Sequence, residues 1–297
     1  MTPKSSGDGV IVVDKPGGLT SQQVVSRIKR ALGIKKVGHA GTLDPMATGV
    51  LVIGIGRATR LLGFIAGADK EYAATIRLGQ ATTTDDAEGT PIGAVVDATG
   101  VSDAAIAAAM DALTGDIEQT PSAVSAIKID GKRAYAMVRA GETPELNARD
   151  VTVTRFEVLA RHDAAPFADL DVVVECSTGT YVRALARDLG AALQVGGHLT
   201  ALRRTRVGRF GVTTAVPLEG VTIDDVVDIS AVARACFTGI DVDAAGAGDV
   251  GHGRPLQMVV PAKPTAVFGP SGQFLALYEP CDDRAVPLAV FVDGVGA

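Results

Sequence analysis

The sequence predicts an α+β protein with one large domain followed by a small β-rich part. Apolar residues alternate with period two in several short runs and recur with helical spacing in others, so strands and helices share the chain. The 297 residues are at the upper end for one domain. The 35 glycines and 14 prolines argue against an all-helical bundle. A hydrophobic content of 47% with 21% charged residues excludes a largely disordered chain.

The first elements follow from local patterns. The β-branched run 10–13 predicts a strand that ends in a glycine- and proline-rich turn. Thr20 and Ser21 predict a helix N-terminus, and the following apolar spacing to residue 32 predicts a buried helix face. Residues 38–49 are interpreted as a glycine-bounded loop before a buried strand over 50–53. The alternation over 72–78 predicts another strand, which precedes a polar, acidic loop over 82–89.

The second half continues this mixture as far as residue 237. Helices are predicted over 103–113, 181–193 and 224–237, and strands over 151–159 and 170–176. The stretch 120–146 has little strand or core signal, so we expect it to leave the core as a long excursion. Short apolar runs between glycines and prolines over 238–297 are typical of a small β module. We therefore expect a domain over 1–236 and a module over 237–297.

Charge is distributed unevenly over this acidic chain. The net charge of −6 argues against coating of nucleic acid by bulk charge. Residues 1–70 nevertheless carry 10 basic and 4 acidic side chains, and residues 181–210 carry 6 and 1. Two basic blocks on an acidic chain are suited to holding a polyanion at one face, although solvated helix faces are an equally simple interpretation.

The cysteines and the N-terminus indicate a protein of a reducing compartment. The three cysteines are scattered, which excludes a disulfide framework and disfavours a zinc site. The polar N-terminus lacks the apolar core of a signal peptide, and the apolar run 50–55 is too short to cross a bilayer. We therefore expect a cytoplasmic protein with no membrane association.

The densest group of chemically suggestive residues is the segment 38–45, GHAGTLDP. Gly38 and Gly41 allow sharp turns or close approach to a ligand. Asp44 precedes a proline, which favours extended backbone and projects the carboxylate from the loop. Arg57 and Arg60 follow the next strand and could neutralise a carboxylate or a phosphate. An ordinary Asp-Pro surface turn is the structural alternative.

Other catalytic templates fit poorly. No complete dinucleotide fingerprint, Walker A lysine, GxSxG elbow or HExxH helix occurs. The four histidines are too dispersed to suggest a metal site. A single carboxylate suits nucleophilic or general-base chemistry, best beside a fixed cation that keeps it ionised. The sequence therefore suggests chemistry without a cofactor.

In seven segments the chain resembles the TruB family of tRNA pseudouridine-55 synthases. These segments follow in the family's order over most of the chain, which makes a chance match negligible. They are residues 9–21 (GVIVVDKPGGLTS), 38–49 (GHAGTLDPMATG), 69–72 (DKEY), 82–89 (TTTDDAEG), 121–141 (PSAVSAIKIDGKRAYAMVRAG), 176–189 (CSTGTYVRALARDL) and 198–204 (HLTALRR). The resemblance implies a pseudouridine synthase core with a mixed, largely antiparallel sheet flanked by helices, and no cofactor.

The resemblance also implies catalytic roles. Asp44 matches the aspartate that attacks the target uridine after this nucleotide has left the stack. Tyr72 matches a tyrosine that stacks on the flipped base and takes part in the late proton transfer. Arg183 matches the arginine that pairs with the aspartate and should hold it ionised and oriented. A core aromatic and a surface helix residue are the plain alternatives for Tyr72 and Arg183.

Further matches imply contacts with the partner, the T-arm of tRNA. His39 matches a histidine that helps to evert the T-arm, Tyr181 a tyrosine that lines the substrate site, and Leu202 the apolar residue that closes the pocket. The excursion resembles the family's thumb segment, whose cations would face T-loop phosphates. These cations are Lys128, Lys132, Arg133 and Arg139. Two further basic groups would extend that surface, namely Lys29, Arg30, Lys35 and Lys36, and Arg203, Arg204, Arg206 and Arg209.

The resemblance is weaker towards the C-terminus. Family members commonly end in a PUA-like RNA-binding barrel, and residues 251–256 (GHGRPL) resemble its opening motif. The module is acidic, with only Arg254, Lys263 and Arg284 as cations between 238 and 297, so we expect a weak grip on RNA. Nothing in the sequence suggests an obligate protein partner.

Three other functions are compatible with parts of the sequence. The first is the same chemistry on another RNA, as in guide-RNA-dependent relatives. The second is a tRNA-binding folding factor without required catalysis. The third is a metal-free glycosidase that uses Asp44 with Asp85 or Asp86, which has no support beyond the carboxylates themselves.

Overall fold

The computed structural model describes residues 7–122 and 146–292, together with the backbone of two short strands between them. Its helices are α1 (Ser21–Leu32), α2 (Leu62–Ala66), α3 (Asp103–Asp111), α4 (Val182–Ala192), α5 (Ile229–Cys236) and α6 (Ala244–Gly251). The strands of the first half are β1 (Gly9–Lys15), β2 (Val37–Ala40), β3 (Thr48–Ile55), β4 (Lys70–Leu78), β5 (Ala81–Thr82), β6 (Pro91–Ile92), β7 (Gly115–Gln119), β8 (Lys128–Ile129) and β9 (Lys132–Arg133). The strands of the second half are β10 (Arg149–Ala164), β11 (Phe167–Cys176), β12 (Gly197–Val207), β13 (Phe210–Gly211), β14 (Val216–Pro217), β15 (Val227–Asp228), β16 (Thr238–Asp241), β17 (Thr265–Phe268), β18 (Phe274–Cys281) and β19 (Arg284–Val290).

A mixed, largely antiparallel sheet forms the centre of the molecule, which confirms the predicted fold class. Its strand order is β14-β1-β3-β12-β4-β11-β10-β7, and the short strands β2, β13 and β15 pair at its sides. In this sheet, among the described residues, only β1 with β14 and β3 with β12 run parallel. The alternating apolar residues of β4 and β11 bury side chains on a common face, as the pattern predicts.

Helices cover both faces of this sheet. Along β1, Ile11 belongs to the core cluster that contains the apolar faces of α1, α3 and α4. The neighbouring Val10 belongs to a second cluster, which contains α2 and α5. Successive residues of a strand point to opposite faces, so the two clusters lie on opposite sides of the sheet. None of the described helices is long and apolar enough to span a membrane.

Some predicted elements were wrong in their bounds. The strand predicted over 151–159 is longer and forms β10, Arg149–Ala164. Residues 38–40 belong to a strand rather than a loop, because β2 pairs with β3 at the edge of the sheet, where backbone hydrogen bonds do not need an apolar pattern. The helix predicted from residue 224 begins at Ile229, because Val227 and Asp228 pair with β1 and the Asp228 carboxylate caps the helix. The helix α6 was not predicted at all.

The C-terminal module is β-rich, as expected, and shares its core with the large domain. Its sheet has the order β16-β17-β18-β19. Phe268, Phe274 and Phe291 are buried in the same cluster as Val10 of the central sheet. The Arg57 guanidinium donates to the Phe291 carbonyl at 2.9 Å. The module therefore packs directly on the face of the sheet that α2 and α5 also cover.

Candidate active site

A cleft of about 380 Å³ opens where the loop after β2, the strands β4 and β12 and the start of α4 converge. This volume is within the range of small-ligand sites. Its lining brings together residues from distant parts of the sequence, including Asp44, Tyr72, Tyr181, Arg183 and Leu202. Five of the predicted site residues therefore share one cleft.

The loop that carries Asp44 is held at several points. The buried Ser21 hydroxyl accepts the Leu43 N–H at 2.9 Å and is 3.1 Å from the Leu43 carbonyl, to which it can donate. The ammonium group of Lys15 donates to the Pro45 carbonyl at 3.1 Å. These contacts come from the start of α1 and the end of β1, so the segment 9–21 positions the loop. Burial lowers the pKa of Lys15 to about 8, which the nearby Asp44 opposes.

Asp44 is part of a buried network of three charges. The Arg183 Nε atom is 3.0 Å from Asp44 Oδ2, and its Nη1 atom is 3.4 Å from Asp86 Oδ2. Nη1 also donates to the Thr84 carbonyl at 2.9 Å. Arg183 and Asp86 are almost fully buried, whereas 36% of the Asp44 side chain is exposed to the cleft. Asp86 and the Thr84 carbonyl thus hold the Arg183 guanidinium in place, while the Asp44 carboxylate remains accessible from the cleft.

The pKa of Asp44 is raised despite its cationic partner. Loss of hydration is the main cause, Arg183 opposes it, and the Asp86 carboxylate adds to it. The sequence led us to expect that Arg183 holds Asp44 ionised. The structure confirms the ion pair, and it shows that burial outweighs the effect of the pair on the pKa.

The floor of the cleft is one face of two paired strands. Tyr72 of β4 lies opposite Arg204 of β12, and Ala74 lies opposite Leu202. Tyr72 and Leu202 are each 7% exposed, so they present a largely apolar wall to the cleft. Burial raises the pKa of the Tyr72 phenol, and a hydrogen bond and the charge of Arg204 oppose that shift. Such a surface can accept a base that has left its stack.

The start of α4 is anchored to the root of the excursion. The buried Gln119 side chain accepts the Tyr181 N–H at 2.8 Å and donates to the Tyr181 carbonyl at 3.2 Å. Arg149, which pairs with Gln119 across β7 and β10, also lines the cleft. The excursion therefore leaves and re-enters the sheet at the rim of the cleft.

Some predicted residues are placed elsewhere or are not described. His39 lies on β2 and is not among the residues that line the cleft. Lys128, Lys132 and Arg133 are described only as backbone of the β8–β9 pair, and their side chains lie outside the described residues. Arg139 also lies outside them.

The prediction that Arg204 contributes to an exposed RNA-binding surface was wrong. Its side chain is 1% exposed, because it donates to the Val50 carbonyl at 2.8 Å and to the Gly41 carbonyl at 2.9 Å. The neighbouring Arg203 and Arg206 are partly exposed and are paired with carboxylates. Neighbouring residues of a strand point to opposite faces of the sheet, so the positive charges in the sequence could not show which arginine is buried and which are exposed.

Sequence reasoning missed three residues of the site. Asp86 was considered only for a glycosidase, although it shares Arg183 with Asp44. Lys70 lies in the family segment 69–72 and was given no role in the site, yet it lines the cleft. Arg149 carries no local signal, because its position follows from strand pairing alone. Within the described residues, no cluster of histidine, cysteine and carboxylate side chains could hold a metal ion.

Comparison with known proteins identifies the family. The model of the TruB family pseudouridylate synthase N-terminal domain matches residues 29–182. Residues 183–239 match the tRNA pseudouridylate synthase B C-terminal domain, and residues 237–292 match the C-terminal model of tRNA pseudouridine synthase II. The chain belongs to the TruB family of pseudouridylate synthases. It is therefore an isomerase, as the sequence resemblance implied.

Close relatives cover nearly the whole chain. The tRNA pseudouridine synthase B of Rhodococcus jostii is 56% identical over 96% of this chain and 94% of its own length. That of Cutibacterium acnes is 53% identical over 93% and 94%. The fold matches a chain of an H/ACA RNP bound to a substrate RNA containing 2′-deoxyuridine, with a TM-score of 0.72 and 24% identity over 97% of this chain and 86% of that chain.

Proposed function

We propose that this synthase converts uridine-55 in the T-loop of tRNA to pseudouridine, with Asp44 as the nucleophile on a flipped-out nucleotide. The observation that carries this proposal is the accessible Asp44 carboxylate, 3.0 Å from a buried Arg183, above a wall of Tyr72 and Leu202. The tRNA substrate follows the printed name of the relatives that match almost the full length of the chain.

The placement of the cleft residues supports the roles that the family resemblance implies. Asp44 is the group that can reach a sugar or base carbon in the cleft, and Arg183 orients it. Tyr72 is positioned to stack on the flipped base and to act in the late proton transfer. Leu202 excludes water beside it, and Tyr181 lines the cleft at the start of α4.

RNA contacts outside the cleft complete the proposal. His39 on the edge strand β2 helps to evert the T-arm, and the excursion carries cations for T-loop phosphates. These cations are Lys128, Lys132 and Arg133. Residues 1–236 form the catalytic domain, and residues 237–297 form a PUA-like module. Each of that module's three cations, Arg254, Lys263 and Arg284, lies within salt-bridge distance of a carboxylate, so its contribution to RNA affinity is small.

The test is release of tritium from tRNA transcript labelled at uridine C5, with the purified protein and no other component. The wild type is expected to release one equivalent, and a transcript with cytidine at position 55 is expected to release none from that site. Asp44→Ala should bind the transcript in a gel shift but release nothing. Binding without release by the wild type would instead indicate an RNA-binding factor, and release only with added guide RNA would indicate the guide-dependent alternative.

A further inference from the structure

The floor of the cleft contains two buried cations that the pairing of Asp44 with Arg183 does not use. Lys70 and Arg204 are 6% and 1% exposed, and both line the cleft. Backbone carbonyls, rather than carboxylates, are their closest partners. The Lys70 ammonium donates to the carbonyl of Ala66, the last residue of α2, at 2.9 Å and to that of Ala68 at 2.7 Å. Within the described residues, neither cation has a carboxylate within 4.0 Å.

Their geometry keeps both charges close to the cleft. Lys70 and Tyr72 are alternate residues of β4 and therefore share a face, and Arg204 lies opposite Tyr72 on β12. A β-carbon added at Gly41, on the lip of the cleft, would lie 3.4 Å from Arg204 Nη1 and 3.6 Å from Lys70 Cε. The two cations and the phenol thus form one group beneath the loop that carries Asp44.

The burial of these two cations lowers the stability of the protein when no RNA is bound. Removing a cation from water without a carboxylate partner is unfavourable, because carbonyl dipoles compensate a full charge incompletely. The cost shows in Lys70 itself, since burial first and the charge of Arg204 second lower its pKa to about 8. An uncompensated positive potential at the floor of a cleft can be offset by an anion that enters or forms there.

The isomerisation forms such an anion. When Asp44 attacks C1′, the bond between its carboxylate oxygen and C1′ forms while the C1′–N1 bond breaks. The electron pair of the broken bond passes to the uracil ring, which places negative charge on the ring nitrogens and carbonyl oxygens. The detached base turns, and its C5 electron pair forms the new bond to C1′ while the bond between C1′ and Asp44 breaks and returns its electron pair to the carboxylate. The proton on C5 then leaves and N1 gains a proton, so the atoms and electrons balance. The base carries the most negative charge between these steps.

We infer that Lys70 and Arg204 stabilise the uracil base while it carries negative charge between cleavage and re-attachment. This inference rests on the proposed function. Fixed charges in a water-poor site act strongly on charge that develops during reaction, and they need no reorganisation. Tyr72 lies on the same face as both cations and is hydrogen-bonded to Arg204. The role is distinct from that of Arg183, which acts on the carboxylate.

The experiment compares uridine with 5-fluorouridine at the target position of the transcript. Fluorine withdraws electrons, so a detached 5-fluorouracil carries its negative charge with less help from the protein. The assay measures loss of the parent nucleoside, by chromatography of nuclease-digested RNA, in single turnover. We expect Lys70→Met to slow the uridine reaction about 100-fold and the 5-fluorouridine reaction at least several-fold less than that. Equal slowing of both substrates would overturn the inference.

A matched control is available in Lys15. It is as buried as Lys70, donates only to carbonyls and has a similarly lowered pKa of about 8, but it does not line the cleft. Lys15→Met should therefore leave the ratio of the two rates at the wild-type value, whatever its effect on each. Selective slowing of uridine by this variant would also contradict the inference.

A second variant covers the case in which Lys70→Met does not fold. Arg204→Gln removes the other charge and should show the same selective slowing of the uridine reaction. Circular dichroism melting reports folding for each variant. If the wild type consumed neither substrate, the proposed function would fail, whereas wild-type turnover with equal slowing in the variants would exclude only the electrostatic role.

Discussion

The shared arginine makes a sharp prediction for Asp86→Asn. In the wild type, the Arg183 guanidinium lies 3.0 Å from Asp44 and 3.4 Å from Asp86. Asparagine retains the shape and one oxygen of Asp86 and removes only its charge. At 3.4 Å and an effective dielectric constant of about 20, the lost attraction is about 5 kcal/mol. The repulsion between Asp86 and Asp44 disappears at the same time, so we expect a net loss of about 1–3 kcal/mol in the transition state.

The expected result has two parts. Single-turnover pseudouridine formation should slow about 10- to 100-fold at neutral pH, because Arg183 loses the attraction to Asp86 that helps to hold it in place. The acid limb of the rate–pH profile should move to lower pH, because the Asp86 carboxylate is one of the groups that raise the pKa of Asp44. The slower rate and the acid shift have opposite effects at low pH, so the full profile must be measured.

The neighbouring Asp85 provides the control. It pairs with Arg187 at 3.3 Å and has a φ of 60°, a conformation that asparagine also tolerates. Asp85→Asn should retain nearly the wild-type rate and an unshifted acid limb. The reasoning is refuted if Asp86→Asn keeps the wild-type profile, or if both variants slow to the same extent.

Three further predictions concern stability. Gly49→Ala should lower the free energy of unfolding, measured with urea, by more than about 3 kcal/mol, because its φ is 98° and a β-carbon would lie 2.2 Å from a carbonyl oxygen of β12. Its control Gly18→Ala should lower that free energy by only about 1–2 kcal/mol, because Gly18 has a φ of 79° but open space around a β-carbon. Arg57→Met should lower the free energy of unfolding by about 2 kcal/mol and speed proteolysis of the C-terminal module. The variant loses the ion pair with Asp8 and the hydrogen bond to the Phe291 carbonyl of that module. The pKa of Lys15 is about 8 in the folded protein and 10.5, the ordinary value for lysine, in the unfolded chain. Between pH 8 and pH 10.5 the unfolded chain therefore binds this proton more tightly than the folded protein, so the free energy of unfolding rises with pH. In Lys15→Met this rise, measured by urea unfolding at several pH values, should be smaller by about 3 kcal/mol.

Several features could be predicted because they depend on neighbouring residues. The helix α1 begins where Thr20 and Gln23 form a reciprocal capping box, and it ends at Gly33 with a φ of 67°. The strands β4 and β11 follow the alternation of their apolar residues. The bounds of β2 could not be predicted in this way, because its hydrogen-bond partner is a later strand.

The candidate site was only partly visible in the sequence. Asp44, Tyr72 and Arg183 stand in motifs whose family is recognisable, so their presence in one cleft was expected. The burial of Arg204 was not, because a basic cluster gives no indication of which side chains point inwards. Asp86 was identified as a carboxylate, but its partner Arg183 lies almost a hundred positions later in the chain.

The sequence by itself determined the fold class and the family, because periodicity and local motifs record these properties directly. Only the tertiary structure decided the electrostatics of the cleft. The pairing of β4 with β12 sets Arg204 against Tyr72, and the packing of α4 sets Arg183 between two carboxylates. Charge interactions depend on distance and burial in space, and neither quantity is written in the order of residues.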